Sequence, residues 1–262
     1  MAEERKREAP INFTLSRHEL LVTLDALGAE VIPGLGADPL GELSPEENQL
    51  ALTIAQRAMR ARGFVRFQEG DVVFHRWLVE AVGACAFAPR ALMALHRAPD
   101  RTPLHYFAHL TDDDVTVLHV RPEDVLHTFS LLPSRDYLIE RLVQLTGLTD
   151  EHGKADEVFS LTKEQFVRVR EYVEQNDTVA AQQALNADES SDKRAFVETL
   201  ANMPTLTVFQ FLHVEEDGEA TKKDFSVLHD GERAWLLVTS GDTIEVQGIT
   251  ASEFQTYLDE ML

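Results

Sequence analysis

Apolar residues in "QLALTIAQRAMRARG", "RWLVEAVGAC" and "RDYLIERLVQL" are spaced as on one face of a helix, whereas "LHYFAHL" and "VTVLHV" read as strands on either side of an Asp-rich turn. The stretch "FTLSRHEL", from Phe13, carries helix-start chemistry: Thr14 or Ser16 can accept backbone N–H bonds, and Glu19 stands three residues after Ser16. It returns as "FSLTKEQF" from Phe159, with Thr162 ahead of Gln165. "RWLVEAVGAC" from Arg76 and "RAFVETLANM" from Arg194 match at a spacing of 118. The same spacing sets "FAHLTDDDVTVLHV" (107–120) on "FSVLHDGERAWLLV" (225–238), each a strand, a turn and a second strand. Another short strand follows each, "DVLHTFSL" or "DTIEVQGI". A helix opened by Ser134 closes the first half, and one opened by Thr250 or Ser252 closes the second.

This order predicts an α+β fold made by tandem duplication, each half reading α–α–α–β–β–β–α. A meander of three strands has exposed edges, so the halves are expected to join edge to edge about a pseudo-twofold axis in one shared antiparallel sheet with helices packed on it. The expected boundaries are an N-terminal tail at 1–10, a first repeat half at 11–148, a linker at 149–157 and a second half at 158–262. Together they make one pseudosymmetric globular unit. The first half carries an insertion, "GAEVIPGLGADPLGELSPEEN", whose Gly and Pro content predicts a flexible loop.

Charge narrows the partners. The formal net charge is −21, and from Thr149 to Leu262 there are 24 acids against 9 bases. Such a surface repels the phosphate backbone and anionic lipid, and no basic stripe interrupts it, so neither nucleic acid nor membrane is an expected partner. No run approaches the roughly 18 apolar residues of a membrane span. The charged start, "MAEERKREAP", lacks the apolar stretch of a secretory signal, and the single cysteine, Cys85, suits a reducing cytoplasm.

Candidate chemistry is sparse. His105 and His109 lie four apart, but on a strand they share a face about 13 Å apart, too far for one ion. At the 118 spacing Val227 stands for His109 and Leu237 for His119, so these read as partly buried structural histidines and no metal is expected. "GLGADPLG" lacks the Lys-Ser or Lys-Thr of a phosphate-binding loop and the acidic partner of a dinucleotide site, so no cofactor is expected. Cys85 sits in "ACAFAP" without an activating base. No convergent titratable set emerges, which favours a binding module over an enzyme. Trp77 and Trp235 read as core residues, either of which could anchor an interface. The loops "HRAPDRTP" (96–103) and "VEEDGEATKK" (214–223) precede matching strands yet differ sharply, which makes Arg97, Asp100 and Arg101, with Trp235, the candidate partner-binding residues.

"FTLSRHELLVTLDALGAEVIPGL" resembles the opening of the EspG family, the cytosolic chaperones of type VII (ESX) secretion. "MRARGFVRFQEGDVVFHRWLVEAVGACAFAPRALM" is similar to that family's next portion, and "RAWLLVTSGDTIEVQGITASEFQTYLDEML" to its close. The resemblance implies an opening strand, a strand after Pro89, a central antiparallel sheet with two helical bundles, and a cytoplasmic, non-enzymatic role. That role is to cover the apolar tip of a helical secretion substrate (PE–PPE dimers in mycobacteria) in a groove between sheet and helices. Two other readings stay open: an immunity or regulatory module, and an enzyme with a pocket at the seam between the halves.

Overall fold

The structure is a computed structural model that describes residues 8–38, 41, 43–99, 101–123, 125–153, 155–187, 190–215 and 217–262. The first elements are β1 (Ile11–Ser16), α1 (Arg17–Leu27), α2 (Pro45–Ala61), β2 (Val65–Gln68), β3 (Asp71–Phe74) and α3 (Arg76–Phe87). Then come β4 (Arg90–Arg97), β5 (Leu104–Leu110), β6 (Thr116–Glu123), β7 (Leu126–Leu132) and α4 (Arg135–Thr146). The later run is β8 (Phe159–Thr162), α5 (Lys163–Glu174), α6 (Thr178–Ala184), α7 (Ser191–Ala201), β9 (Thr205–Val214), β10 (Ala220–His229), β11 (Ala234–Ser240), β12 (Thr243–Gly248) and α8 (Ala251–Met261).

The fold is α+β around a large antiparallel sheet, ordered β1-β7-β6-β5-β4-β9-β10-β11-β12-β8, with β2 and β3 paired by themselves. Among the described residues the sheet has ten strands, where the residue pattern predicts six. The extra four are β1, β4, β8 and β9; the opening strand and the strand after Pro89 are those that the family resemblance implies. β1 and β8 escape a local reading because their partners are distant: Leu15 pairs with His127, and Phe159 with Val246. No tight turn announces such a pairing.

The chain forms two compact units, one from residues 1–93, 104–138 and 213–220, the other from 94–103, 139–212 and 221–262. In the first unit, Ser16 opens α1. Its Oγ accepts from the Glu19 N–H at 3.3 Å, and the Glu19 carboxylate accepts from the Ser16 N–H at 2.8 Å. Thr14, the alternative cap, instead reaches Thr128 across the sheet, hydroxyl to hydroxyl at 3.1 Å. The buried Glu19 carboxylate also receives Arg62 Nη1 at 2.9 Å. Leu20 and Leu24 of α1, Met59 of α2, and Leu78, Val82 and Cys85 of α3 then close over Leu15, Val117, Phe129 and Leu131 of the sheet. Burial pushes the Cys85 thiol up, so it is an inert core residue. Ser16→Ala removes one capping bond and is expected to lower stability by about 1 kcal/mol in urea denaturation.

In the second unit, Thr162 and Gln165 form the matching box at the start of α5. Helices α5–α7 bury Val169, Ala181, Leu185 and Phe196 against Leu228, Trp235, Leu237 and Val246. The opposite sheet face meets α8, which Thr250 rather than Ser252 caps; Phe254 lies 5.7 Å from Phe209 and 6.3 Å from Phe225, centroid to centroid.

Candidate docking surface

Strand β9 breaks the rule that an antiparallel sheet turns its polar residues to water. Thr207, Phe209 and Phe211 face inward and are buried. The alternate set, Leu206, Val208, Gln210 and Leu212, is apolar at every position but one. Val208 is 39 % exposed and Leu212 38 % exposed. Between them Gln210 donates from Nε2 to Asp224 of β10 at 3.1 Å, which places Asp224 on this same face.

Leu206 is half-buried against the core under α5–α7, so the helices end at the first residue of this row and leave the rest uncovered. On β11, by contrast, Ala234, Trp235, Leu236 and Leu237 are all buried, so both faces of that strand are covered. Beside β9 the end of β4 comes alongside, with His96 Nδ1 3.0 Å from Thr207 Oγ1 on the inward face. Strand alternation puts Leu95 and Arg97 on the open face. Leu95 is half-buried, Arg97 is exposed, and burial followed by the charge of Arg101 lowers the pKa of His96. The resulting surface has an apolar floor, a helical wall and an arginine at its rim. Such a surface suits an apolar helix.

Arg97 therefore ends β4 at the rim of this face, and Arg101 is exposed in the β4–β5 loop, where its N–H donates to the Ala98 carbonyl at 3.4 Å. Asp100 lies outside the described residues. The acidic loop after β9 is the tip of the β9–β10 hairpin, closed by the Glu215 N–H on the Glu219 carbonyl at 2.8 Å. Trp235 has to be reassigned. It is 0 % exposed, packed against Phe159 and Phe196, and its Nε1–H donates to Thr199 Oγ1 at 3.1 Å. It offers no surface to a partner. Trp77, read as core, is 44 % exposed, with its ring tilted against that of His75 at 4.9 Å.

The sequence hides the β9 face, because "TLTVFQFLHV" carries apolar residues at both parities and so marks neither face as the open one. The only signal of its importance was that excess itself.

The histidines form a second cluster, in the first unit. His105 is exposed, while His109, His119 and His127 are buried on one face of β5, β6 and β7. His119 Nε2 stands 3.0 Å from His127 Nδ1, and the His119 ring is stacked with those of Phe107 at 5.3 Å and Phe129 at 4.7 Å. Burial holds His109 down to about 4. Burial, then Arg121 and Arg17, does the same for His127, also to about 4. Among the described residues no group of three or more His, Cys, Asp or Glu side chains is arranged to hold a metal ion. Nor is any helix among them long and apolar enough to cross a membrane.

Comparison with solved structures finds the chain similar to the Mycobacterium tuberculosis type VII secretion system chaperone EspG5, solved in complex with a PE25–PPE41 dimer. The TM-score is 0.65 over 95 % of both chains, at 12 % sequence identity, so the shared property is the fold. No curated protein matches the sequence. A family model described as uncharacterised protein YfjC matches residues 35–258. That match spans most of the chain, from before α2 into α8, and the protein therefore belongs to the YfjC family.

Proposed function

We propose that this protein is a non-enzymatic chaperone or adaptor that binds the apolar end of a helical protein partner on the open face of β9. The observation that carries the reading is the row Val208–Leu212, left uncovered beside the helices α5–α7 where water-facing polar residues would be expected. The likeness of fold to a chaperone solved with a PE–PPE dimer supports a helical partner of secretion-substrate type. Arg97 and Arg101 would meet polar groups flanking the apolar end, and a net charge of −21 keeps the loaded complex soluble. Action in the cytoplasm fits the lone, buried Cys85. We further infer that the two runs of elements descend from a tandem duplication, with halves at 11–148 and 158–262. The recurrence of a Ser or Thr capping box directly after β1 and β8 supports this descent.

The test is paired affinity capture from cells of the native organism, using the wild-type chain and a Leu212→Glu variant. The wild type is expected to retain a helical protein, and the variant to lose it by tenfold or more, a difference of about 1.4 kcal/mol. Because Leu212 is partly exposed, the thermal midpoint of the variant should move little. Equal capture by both would move the docking site elsewhere, and recovery of no helical partner by the wild type would refute the chaperone reading.

A further inference from the structure

Residues Val31–Asp38 lie over the histidine face of the first unit and are tied down at several points. Ile32 and Leu35 are buried in the core. Gly34, at φ +83, lies so close to Phe107 that a Cβ there would stand 2.3 Å from the ring. Gly36, at φ +67, would bring a Cβ to 2.5 Å from Arg121 Nη1. From α1, Arg17 Nη1 donates to the carbonyls of Leu35 at 2.9 Å and Gly36 at 3.0 Å, and its Nε to Asp38 at 3.2 Å. The segment is thus a packed strap, not the flexible loop its glycines suggested.

Beneath it, the His119–His127 hydrogen bond consists of one N–H pointing at one lone pair. The outer nitrogens, His119 Nδ1 and His127 Nε2, are buried without a hydrogen-bond partner, as is His109 Nε2. The charged groups that bear on the pair are Arg121 from β6 and Arg17 from α1, with His109 from β5 as a third ring. Only the Pro33 backbone of the strap favours a charged His119. The nearby carboxylate, Asp38, is engaged by Arg17, with His18 Nε2 at 4.0 Å. A first proton on the pair would put positive charge beside two arginines in a dry site. A second would place N–H groups on both facing nitrogens and break the bond between them.

We propose that Val31–Asp38 is an acid-released strap, held down while the His119–His127 pair is neutral and lifted when the pair takes up protons. Lifting gives the rings water and uncovers Phe107 and Phe129. The direction follows from linkage: an open form with rings near the ordinary histidine value binds more protons than a closed form with depressed ones. Closure is therefore complete above about pH 6.5 and weakens as pH falls towards 4.

Amide hydrogen exchange on the intact chain at pH 7.5 and pH 5.0, corrected for intrinsic rates, tests this. The open population of residues 31–38 is expected to rise about tenfold per pH unit for each proton taken up, while β10–β12 keep their protection. A double variant, His119→Phe with His127→Leu, should keep the strap closed at pH 5.0. If that variant does not fold, His127→Gln, which retains a neutral hydrogen bond but cannot charge, should lower the response by about tenfold per pH unit. Strap exchange equal at both pH values, simultaneous loss of protection in every strand, or an undiminished response in the folded variant would each overturn the proposal.

Discussion

Trp235→Ala is expected to destabilise the second unit by about 3–5 kcal/mol, the cost of emptying a large aromatic site in a close-packed core. Trp235 is the largest fully buried side chain, and its edge-on contacts with Phe196 at 5.4 Å and Phe159 at 6.3 Å join α7, β8 and β11. Removal also deletes the indole N–H that the buried Thr199 hydroxyl accepts, leaving that hydroxyl only its bond to Asp230. A loss of this size is comparable to the whole stability of many domains. Trp235→Phe is the milder change, because it keeps a buried aromatic ring while deleting the N–H donor and part of the ring volume; about 1–3 kcal/mol is expected for it. Urea denaturation followed by far-UV circular dichroism gives both numbers, since fluorescence would change with the loss of the indole itself. A loss below 1 kcal/mol for the alanine variant would show that the cavity closes, and that the three rings do not hold these elements together.

Gly34→Ala is expected to cost about 2–4 kcal/mol, and Gly28→Ala only about 1–2 kcal/mol. Both glycines have left-handed backbone, at φ +83 and +68, so both substitutions carry a conformational penalty. They differ in what a methyl group meets. At Gly28 nothing lies within 4 Å, whereas at Gly34 the new carbon falls onto the Phe107 ring, itself stacked on His119. The ring would have to move and take the histidine stack with it. Thermal or urea denaturation of the two variants, side by side, checks the difference; equal losses would mean that the strap yields without disturbing the sheet.

What could be read beforehand followed the range of the interaction. Ser16 with Glu19 and Thr162 with Gln165 are bonds between residues three apart, so the sequence carries them whole. The β5–β6 and β10–β11 hairpins were legible for the same reason, with Phe107 opposite His119 and Phe225 opposite Val238. β1 and β8 were not, because six- and four-residue strands paired with distant partners carry no local signal. The two tryptophans show the limit most clearly. Each stands among apolar neighbours, yet Trp77 lies on a helix turn that leaves it 44 % exposed, and Trp235 is fully buried under three helices. Loop divergence singles out Arg97, but only the alternation of β4 beside β9 relates it to an apolar face. Gly34 and Gly36 suggest freedom by composition alone, which cannot distinguish a glycine that bends from one that lets a ring or a guanidinium come close.

The pairing of β1 with β7 has a consequence for synthesis. Ile11–Ser16 is made more than a hundred residues before Leu126–Leu132, its strand partner among the described residues. At about 5–20 residues per second, that leaves an apolar segment waiting for roughly 6–25 s as a nascent chain. During that interval its hydrogen-bonding edge is open to any other extended polypeptide, and α1, next in line, can form but has no sheet to rest on. Slow translation would lengthen this vulnerable period, and a holdase acting on Ile11–Ser16 would be of most use before Leu126–Leu132 has been made.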